Sequence, residues 1–179
     1  MSDANSPKQH LSIHPETAAD WEAVRRVNEL AFGGAKEADL VDALRKSARP
    51  ILSLVAIQGK QIVGHIFFSP VSVESSENRF TALGLGPMAV LPDCQNQGIG
   101  SQLVRHGLDE CQRLGHDIVV VLGHPNFYPR FGFLPAKTKG LECEYPVPDE
   151  VFMVAELTSD ALAGRTGLVK YRAEFRTAT

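Results

Sequence analysis

The sequence predicts a mixed α/β fold: a mostly antiparallel sheet with helices on both faces and one splayed parallel strand pair. Three observations predict it. The β-rich runs Ile51–Ile57, Gln61–Val73 and Phe80–Val90 are joined by the short turns Gln58-Gly59-Lys60 and Ser75–Asn78, so they pair as antiparallel neighbours. A helical pattern from Gly100 to Leu114 then separates the third run from Ile118–Leu122, five consecutive apolar residues. Strand, helix, strand means a right-handed crossover and a parallel pair, the last strand buried on both faces. Finally, Gly84-Leu85-Gly86-Pro87 interrupts the third strand. Glycine in a strand marks a bulge and proline cannot donate to a ladder, so this strand should pull away from its parallel neighbour.

The remaining elements follow in order. Residues 1–10 are small and polar, expected to form a flexible tail, and 11–179 a single domain. Leu11–His14 reads as a short first strand. Thr17 and Asp20 have capping-box spacing and open a helix over Ala18–Phe32, with Trp21, Val24, Val27 and Ala31 as its apolar stripe and Gly33-Gly34 as its stop. A second helix runs over Lys36–Lys46, with Leu40, Val41 and Leu44 on one face and Pro50 barring its continuation. Gly115 is placed to end the third helix. Asn126–Phe131 reads as a short helix, and Val151–Leu157 and Leu168–Tyr171 as late strands that are available to pair across a dimer. The chain is expected to act as a monomer or homodimer.

Composition narrows the function. A net charge of −3 over 179 residues gives no general attraction to nucleic acid or to an anionic membrane, so any phosphate site must be built locally. No apolar run approaches the roughly 20 residues that span a bilayer, and Met1–His10 has no apolar core of a secretory signal. Cys94, Cys111 and Cys143 form no C-x-x-C pair and read as free thiols, which points to a cytoplasmic protein. His10 and His14 are four apart, but on a strand or tail that spacing does not converge, so no metal site is expected.

The chemistry concentrates in AVLPDCQNQGIGSQLV, Ala89 to Val104. A strand end reaches a glycine loop and then a helix N-terminus, which places bare N–H groups and the positive end of a helix dipole together. Such a place binds phosphate. No Lys-Ser or Lys-Thr follows the glycines, which excludes a P-loop. A dinucleotide fingerprint would need a third glycine and a carboxylate at the end of the next strand, where Gly123-His124 stands instead. No G-x-S-x-G is present for a hydrolase elbow.

Gln95-Asn96-Gln97-Gly98-Ile99-Gly100, with Pro92 three residues before the glutamine, resembles the acyl-CoA loop of the GNAT superfamily of N-acetyltransferases. At the right distance, Asn126-Phe127-Tyr128-Pro129-Arg130-Phe131-Gly132-Phe133 resembles that superfamily's Tyr-x-x-x-Gly-Phe segment. The wording looks most like a bacterial subgroup of predicted acetyltransferases, and the likeness covers roughly Leu11 to Phe175. It implies a GNAT-like sheet and acetyl-CoA as co-substrate, with no metal. It also implies pantetheine along Met88, Ala89 and Val90, pyrophosphate on the N–H groups of Gln97, Gly98, Ile99, Gly100 and Ser101 within the Gln95–Ser101 loop, and Asn126 beside the cofactor arm. Tyr128 matches the tyrosine that protonates the departing sulfur. The other reading of Tyr128 is one more ring in a cluster with Phe127, Phe131 and Phe133.

Attack of a neutral amine on a thioester also needs an oxyanion donor, for which a backbone N–H of Met88–Val90 is available, and a base. Glu37, Glu74 and His124 are the base candidates, with Glu37 preferred, and a water chain is the alternative. Phe67 and Phe68 are candidates for the acceptor pocket, although adjacent strand residues face opposite ways and at least one is core. Gly33–Ala38, Phe67–Val73 and Lys137–Pro148 are the acceptor-side segments, and none carries a diagnostic pattern. The expected function is N-acetyl transfer from acetyl-CoA to a primary amine by direct attack in a ternary complex. A non-catalytic acyl-CoA-binding module is the alternative, and a Rossmann-type nucleotide binder the third reading.

Overall fold

The computed structural model describes residues 9–177. Most of the expected tail, residues 1–8, lies outside the described residues. The elements are β1 (Leu11–Pro15), α1 (Trp21–Phe32), α2 (Lys36–Ser47), β2 (Leu52–Gln58), β3 (Gln61–Glu74), β4 (Arg79–Val90), α3 (Ile99–Arg113), β5 (Ile118–Leu122), β6 (Leu134–Pro135), β7 (Leu141–Cys143), β8 (Phe152–Glu156), β9 (Gly167–Lys170) and α4 (Glu174–Thr177). They form one sheet in the order β1-β2-β3-β4-β5-β8-β6, with β9 pairing both β3 and β7.

The β2-β3-β4 meander is antiparallel and β4-β5 is parallel, as the turn lengths and the crossover require. A second parallel pair, β7-β9, was not expected. It exists because β3 outruns its neighbour: β2 ends at Leu52, opposite Phe68, and the free edge from Ser72 to Glu74 takes β9 instead. Both late strands find their partners inside the chain, β8 on β5 and β9 on β3.

Helices cover both faces. On one, Leu103, Val104, Leu108 and Cys111 of α3 pack on Leu54, Ile66, Phe68, Leu83, Val119 and Val121. On the other, Val24 of α1 and Leu40, Val41 and Leu44 of α2 pack on Val55 and Phe67. Phe67 and Phe68 therefore lie on opposite faces, and both are fully buried. Neither lines a ligand pocket, a correction to the sequence reading that alternation explains. The α3 face approaches closely at Gly107, where a Cβ would stand 2.6 Å from the Phe68 ring.

The α1 stripe also needs correcting. Trp21 is 47% exposed: it opens α1 after a 3-10 turn over Ala18–Asp20, and the buried face is Val24, Val27 and Asn28. The Arg45 guanidinium lies over the Trp21 ring, 4.9 Å from its centroid. Arg45 also pairs with Glu16, and Arg25 of α1 reaches Asp39 (2.8 Å) and Asp42 (2.7 Å) of α2, so ion pairs lock the two helices together.

Beneath α1 lies a buried polar chain. Asn28 Nδ2 donates to the Val24 carbonyl (3.0 Å) and to His65 Nδ1 (3.1 Å), and His65 Nε2 sits 2.9 Å from Ser53 Oγ. Because Nδ1 accepts, Nε2 carries the proton and donates to Ser53. Burial, and secondarily the Arg45 charge, lowers the His65 pKa from 6.5 to about 3. An unfolded imidazole titrates at the ordinary value, so between these limits the unfolded state binds more protons than the folded one. Stability is therefore expected to fall as the pH drops from 6.5 toward 3, by up to ~5 kcal/mol. Urea unfolding at pH 7 and pH 4.5 checks this, since His65→Gln should flatten the dependence; an equal acid loss in that variant would place its origin elsewhere.

Candidate active site

The bulge in β4 opens the site. In the β3-β4 ladder, Ile66 faces Met88 and Phe68 faces Leu85, so Gly86 and Pro87 stand opposite Phe67 alone. The parallel β4-β5 ladder runs from Leu83↔Val119 to Leu85↔Val121 and stops there. Beyond Leu85, β4 stays on β3 and its other edge is free. Leu91 N–H donates to Val63 O (2.9 Å), so alternation turns the N–H groups of Met88 and Val90 toward the opening. Interrupting glycine and proline thus create a wedge at the carboxyl ends of two strands, where ligands of open α/β sheets sit.

The loop after β4 turns through two left-handed residues, Asn96 (φ 60°) and Gly98 (φ 85°). Gln95 Nε2 donates to Val90 O (3.1 Å) and Gln97 Nε2 to Asp93 O (3.2 Å), so both amides brace the loop. The first helical bond of α3 is Gln102 N–H to Gly98 O (3.1 Å). The N–H groups of Gly98, Ile99, Gly100 and Ser101 precede it and have no intrahelical acceptor. This cradle fits a pyrophosphate.

One cavity of about 1460 Å³ joins the wedge, the cradle and the far wall. Its walls include Met88, Ala89, Val90, Gln95, Asn96, Gly98, Ile99, Gly100, Ser101, Asn126, Tyr128 and Glu37. Gln97, held to Asp93, is the one expected cofactor contact outside the wall. Cys94 also borders the cavity, whereas Cys111 is buried and its thiol pushed up to about 12. Of the three base candidates, Glu37 and His124 reach the cavity. Glu74 does not: Lys170 (2.6 Å) and Arg79 (3.4 Å) hold it at the β3-β9 edge, and the Lys170 contact keeps its carboxyl below the usual range. Glu37 is half-buried and has no hydrogen bond or ion pair among the described residues.

Tyr128 opens the 3-10 turn Tyr128–Phe131, its N–H directed at His124 O (3.4 Å). Its ring packs edge-on against Phe127 (5.0 Å) and Phe133 (5.6 Å). Tyr128 is thus a ring of the aromatic cluster that also borders the cavity. Burial pushes its hydroxyl up to about 12. Gly123 has no room for a side chain, because a Cβ there would stand 2.2 Å from the Tyr128 ring.

The far wall carries residues that the sequence reading gave no part in the site: Ala31, Phe32 and Leu40 from α1 and α2, and Tyr145, Tyr171 and Phe175 from the C-terminal third. No local pattern marks the last three; their only signal is that Tyr145 falls in one acceptor-side segment. Among the described residues no group of three or more His, Cys, Asp or Glu could hold a metal, and no helix is long and apolar enough to cross a membrane.

A sheet wedge beside a helix N-terminus with free N–H groups is suited to a phosphate-bearing ligand, and the family model of the acetyltransferase (GNAT) domain matches residues 12–136. The chain belongs to the GNAT family. Among its relatives are two uncharacterised N-acetyltransferases of Escherichia coli K12. YjhQ is 38% identical over 159 residues, 86% of this chain and 88% of the relative. YhbS is 37% identical over 166 residues, 92% of this chain and 98% of the relative. The crystal structure of E. coli YhbS in complex with CoA superposes with a TM-score of 0.87 at 35% identity, covering 96% of this chain and 95% of that one. A GNAT acetyltransferase of Brucella melitensis in complex with acetyl-CoA gives 0.76 at 35% identity, covering 93% and 99%. Membership makes the chain an acetyl-CoA-dependent acyltransferase, in place of the binding-module and dinucleotide readings.

Proposed function

We propose that residues 11–179 act as a single N-acetyltransferase domain moving an acetyl group from acetyl-CoA to a primary amine, with both substrates bound together. The observation that carries this is the single cavity of about 1460 Å³. A pocket for one small ligand holds roughly 300–1,000 Å³, and this one has the phosphate cradle at one end and a free carboxylate on another wall. Binding of CoA and acetyl-CoA by the two structural relatives supports the same reading. Three cysteines without a disulfide fit a reducing cytoplasm.

Acetyl-CoA supplies an activated thioester acyl group. The N–H groups of Gly98, Ile99, Gly100 and Ser101 hold its pyrophosphate with the α3 dipole behind them. Asn96 and Asn126 border the same arm. Met88, Ala89 and Val90 align the pantetheine, and an N–H turned into the wedge meets the developing oxyanion. Glu37 accepts a proton from the incoming ammonium, leaving the amine neutral. Tyr128, protonated throughout the neutral range, donates toward the sulfur as negative charge builds there. Complete transfer to a thiol of ordinary pKa, about 8.5, is uphill from a phenol near 12; hydrogen-bond donation is the part of this role that burial favours, and the departing thiolate takes the proton that the attacking nitrogen gives up as the amide forms.

Calorimetry with acetyl-CoA, followed by release of free thiol in the presence of an amine mixture, tests the reading. Micromolar binding and amine-dependent thiol release are expected. No binding by the wild type overturns it. In Glu37→Gln the acidic limb of the pH–rate profile should shift, and an unchanged profile removes Glu37 as the base.

A further inference from the structure

The far wall of the cavity narrows the acceptor, an inference that rests on the acetyl-transfer reading above. The Tyr145 and Tyr171 rings are 5.6 Å apart, and Phe175 meets Tyr171 edge-on at 5.1 Å. Tyr171 itself lies on the sheet, its Cε1 3.3 Å from where a Gly84 Cβ would stand. Phe175 packs toward α2, and Phe32 and Leu40 complete the wall. This aromatic surface is pinned from outside: Arg172 Nη2 donates to Ser47 O (3.3 Å), the Ser47 hydroxyl donates to the Glu174 carboxylate, and Tyr171 N–H donates to Glu144 Oε1 (2.6 Å).

Charge on this wall is one-sided. Glu37 is its one charged side chain and has no partner among the described residues. The cation of the cavity, Arg130, is at the other end, stacked 4.9 Å over Phe127, whose ring would meet a Gly100 Cβ at 3.7 Å beside the cradle. An acceptor carboxylate would find no cation here and would face Glu37. A second ammonium would find no second carboxylate. Neither charge would find a side-chain partner on this wall.

We infer that the acceptor is a small primary amine on an apolar or aromatic carbon skeleton, with one ammonium group at Glu37 and no carboxylate. Its skeleton lies against the aromatic wall, and desolvation of that surface supplies most of the acceptor's binding.

The test uses the full chain with acetyl-CoA and a panel of phenethylamine, hexylamine, L-phenylalanine, spermidine and an unblocked peptide, read as kcat/KM from thiol release. Phenethylamine and hexylamine are expected to exceed each of the other three by at least about tenfold, since a charge or polar backbone left without a partner against the apolar wall offsets shared apolar contact. Phe175→Ala should raise KM for phenethylamine by about tenfold while the Kd for CoA stays within about twofold, as a lost apolar contact in one subsite predicts. Equal or better use of phenylalanine, spermidine or the peptide overturns the inference. So does bound acetyl-CoA with no turnover of the two apolar amines, or an unmoved KM in Phe175→Ala. Failure to bind CoA is a different result and overturns the acetyl-transfer reading itself.

Discussion

A Gly98→Glu variant is expected to bind CoA at least about 100-fold more weakly than the wild type, because two costs fall on the same residue. Gly98 holds φ at 85°, a left-handed conformation that an L side chain adopts only with strain, and it caps α3. A carboxylate there would stand at the mouth of the cradle, opposing the pyrophosphate charge that the free N–H groups attract. Steric collision is not part of the cost, since a Cβ at Gly98 meets nothing within 4 Å. Gly98→Ala separates the two terms: it carries the backbone strain alone, of about 1–2 kcal/mol, and should weaken binding by about 30-fold or less. Calorimetry on both variants, with thermal melts to show that the fold survives, makes the measurement. An unchanged Kd in Gly98→Glu would mean that the loop is only a strand-to-helix turn.

Tyr128→Phe is expected to lower kcat by about 100-fold, the size of losing one hydrogen-bond donor to developing negative charge, with CoA affinity within about twofold. The ring stays to fill its place against Phe127 and Phe133, so stability should barely change. Gly123→Ala offers an independent route to the same loss. Its Cβ would collide with the Tyr128 ring and move the hydroxyl without removing it. Turnover within a factor of two in Tyr128→Phe would leave the residue as an aromatic packing element and remove it from the chemistry.

Local pattern carried the organisation of this protein a long way. Turn lengths set the antiparallel meander, five apolar residues in a row marked the doubly buried β5, and Gly84-Leu85-Gly86-Pro87 marked the bulge. The loop of free N–H groups was legible for the same reason: strand, glycine loop and helix N-terminus are contiguous, and their chemistry is backbone chemistry. Where side-chain direction matters, pattern was less sufficient. Trp21 sits at a helical spacing from Val24 in the first turn of α1, yet it faces solvent beside Arg45. Glu74 and Glu37 look alike in sequence, yet Lys170 binds one and nothing described binds the other.

What the sequence by itself determined is therefore the sheet order around β2-β5, the wedge and the cradle, because each depends on residues within one or two elements. Only the tertiary structure decided the far wall. Tyr145, Tyr171 and Phe175 line one cavity with Phe32 and Glu37 from more than 100 residues away, brought there when β9 occupies the free edge of β3 and Arg172 and Glu174 fasten the C-terminal segment to Ser47. The physical reason is that a phosphate site is made of consecutive N–H groups, whereas a pocket for an apolar skeleton is made of whichever rings the fold brings together.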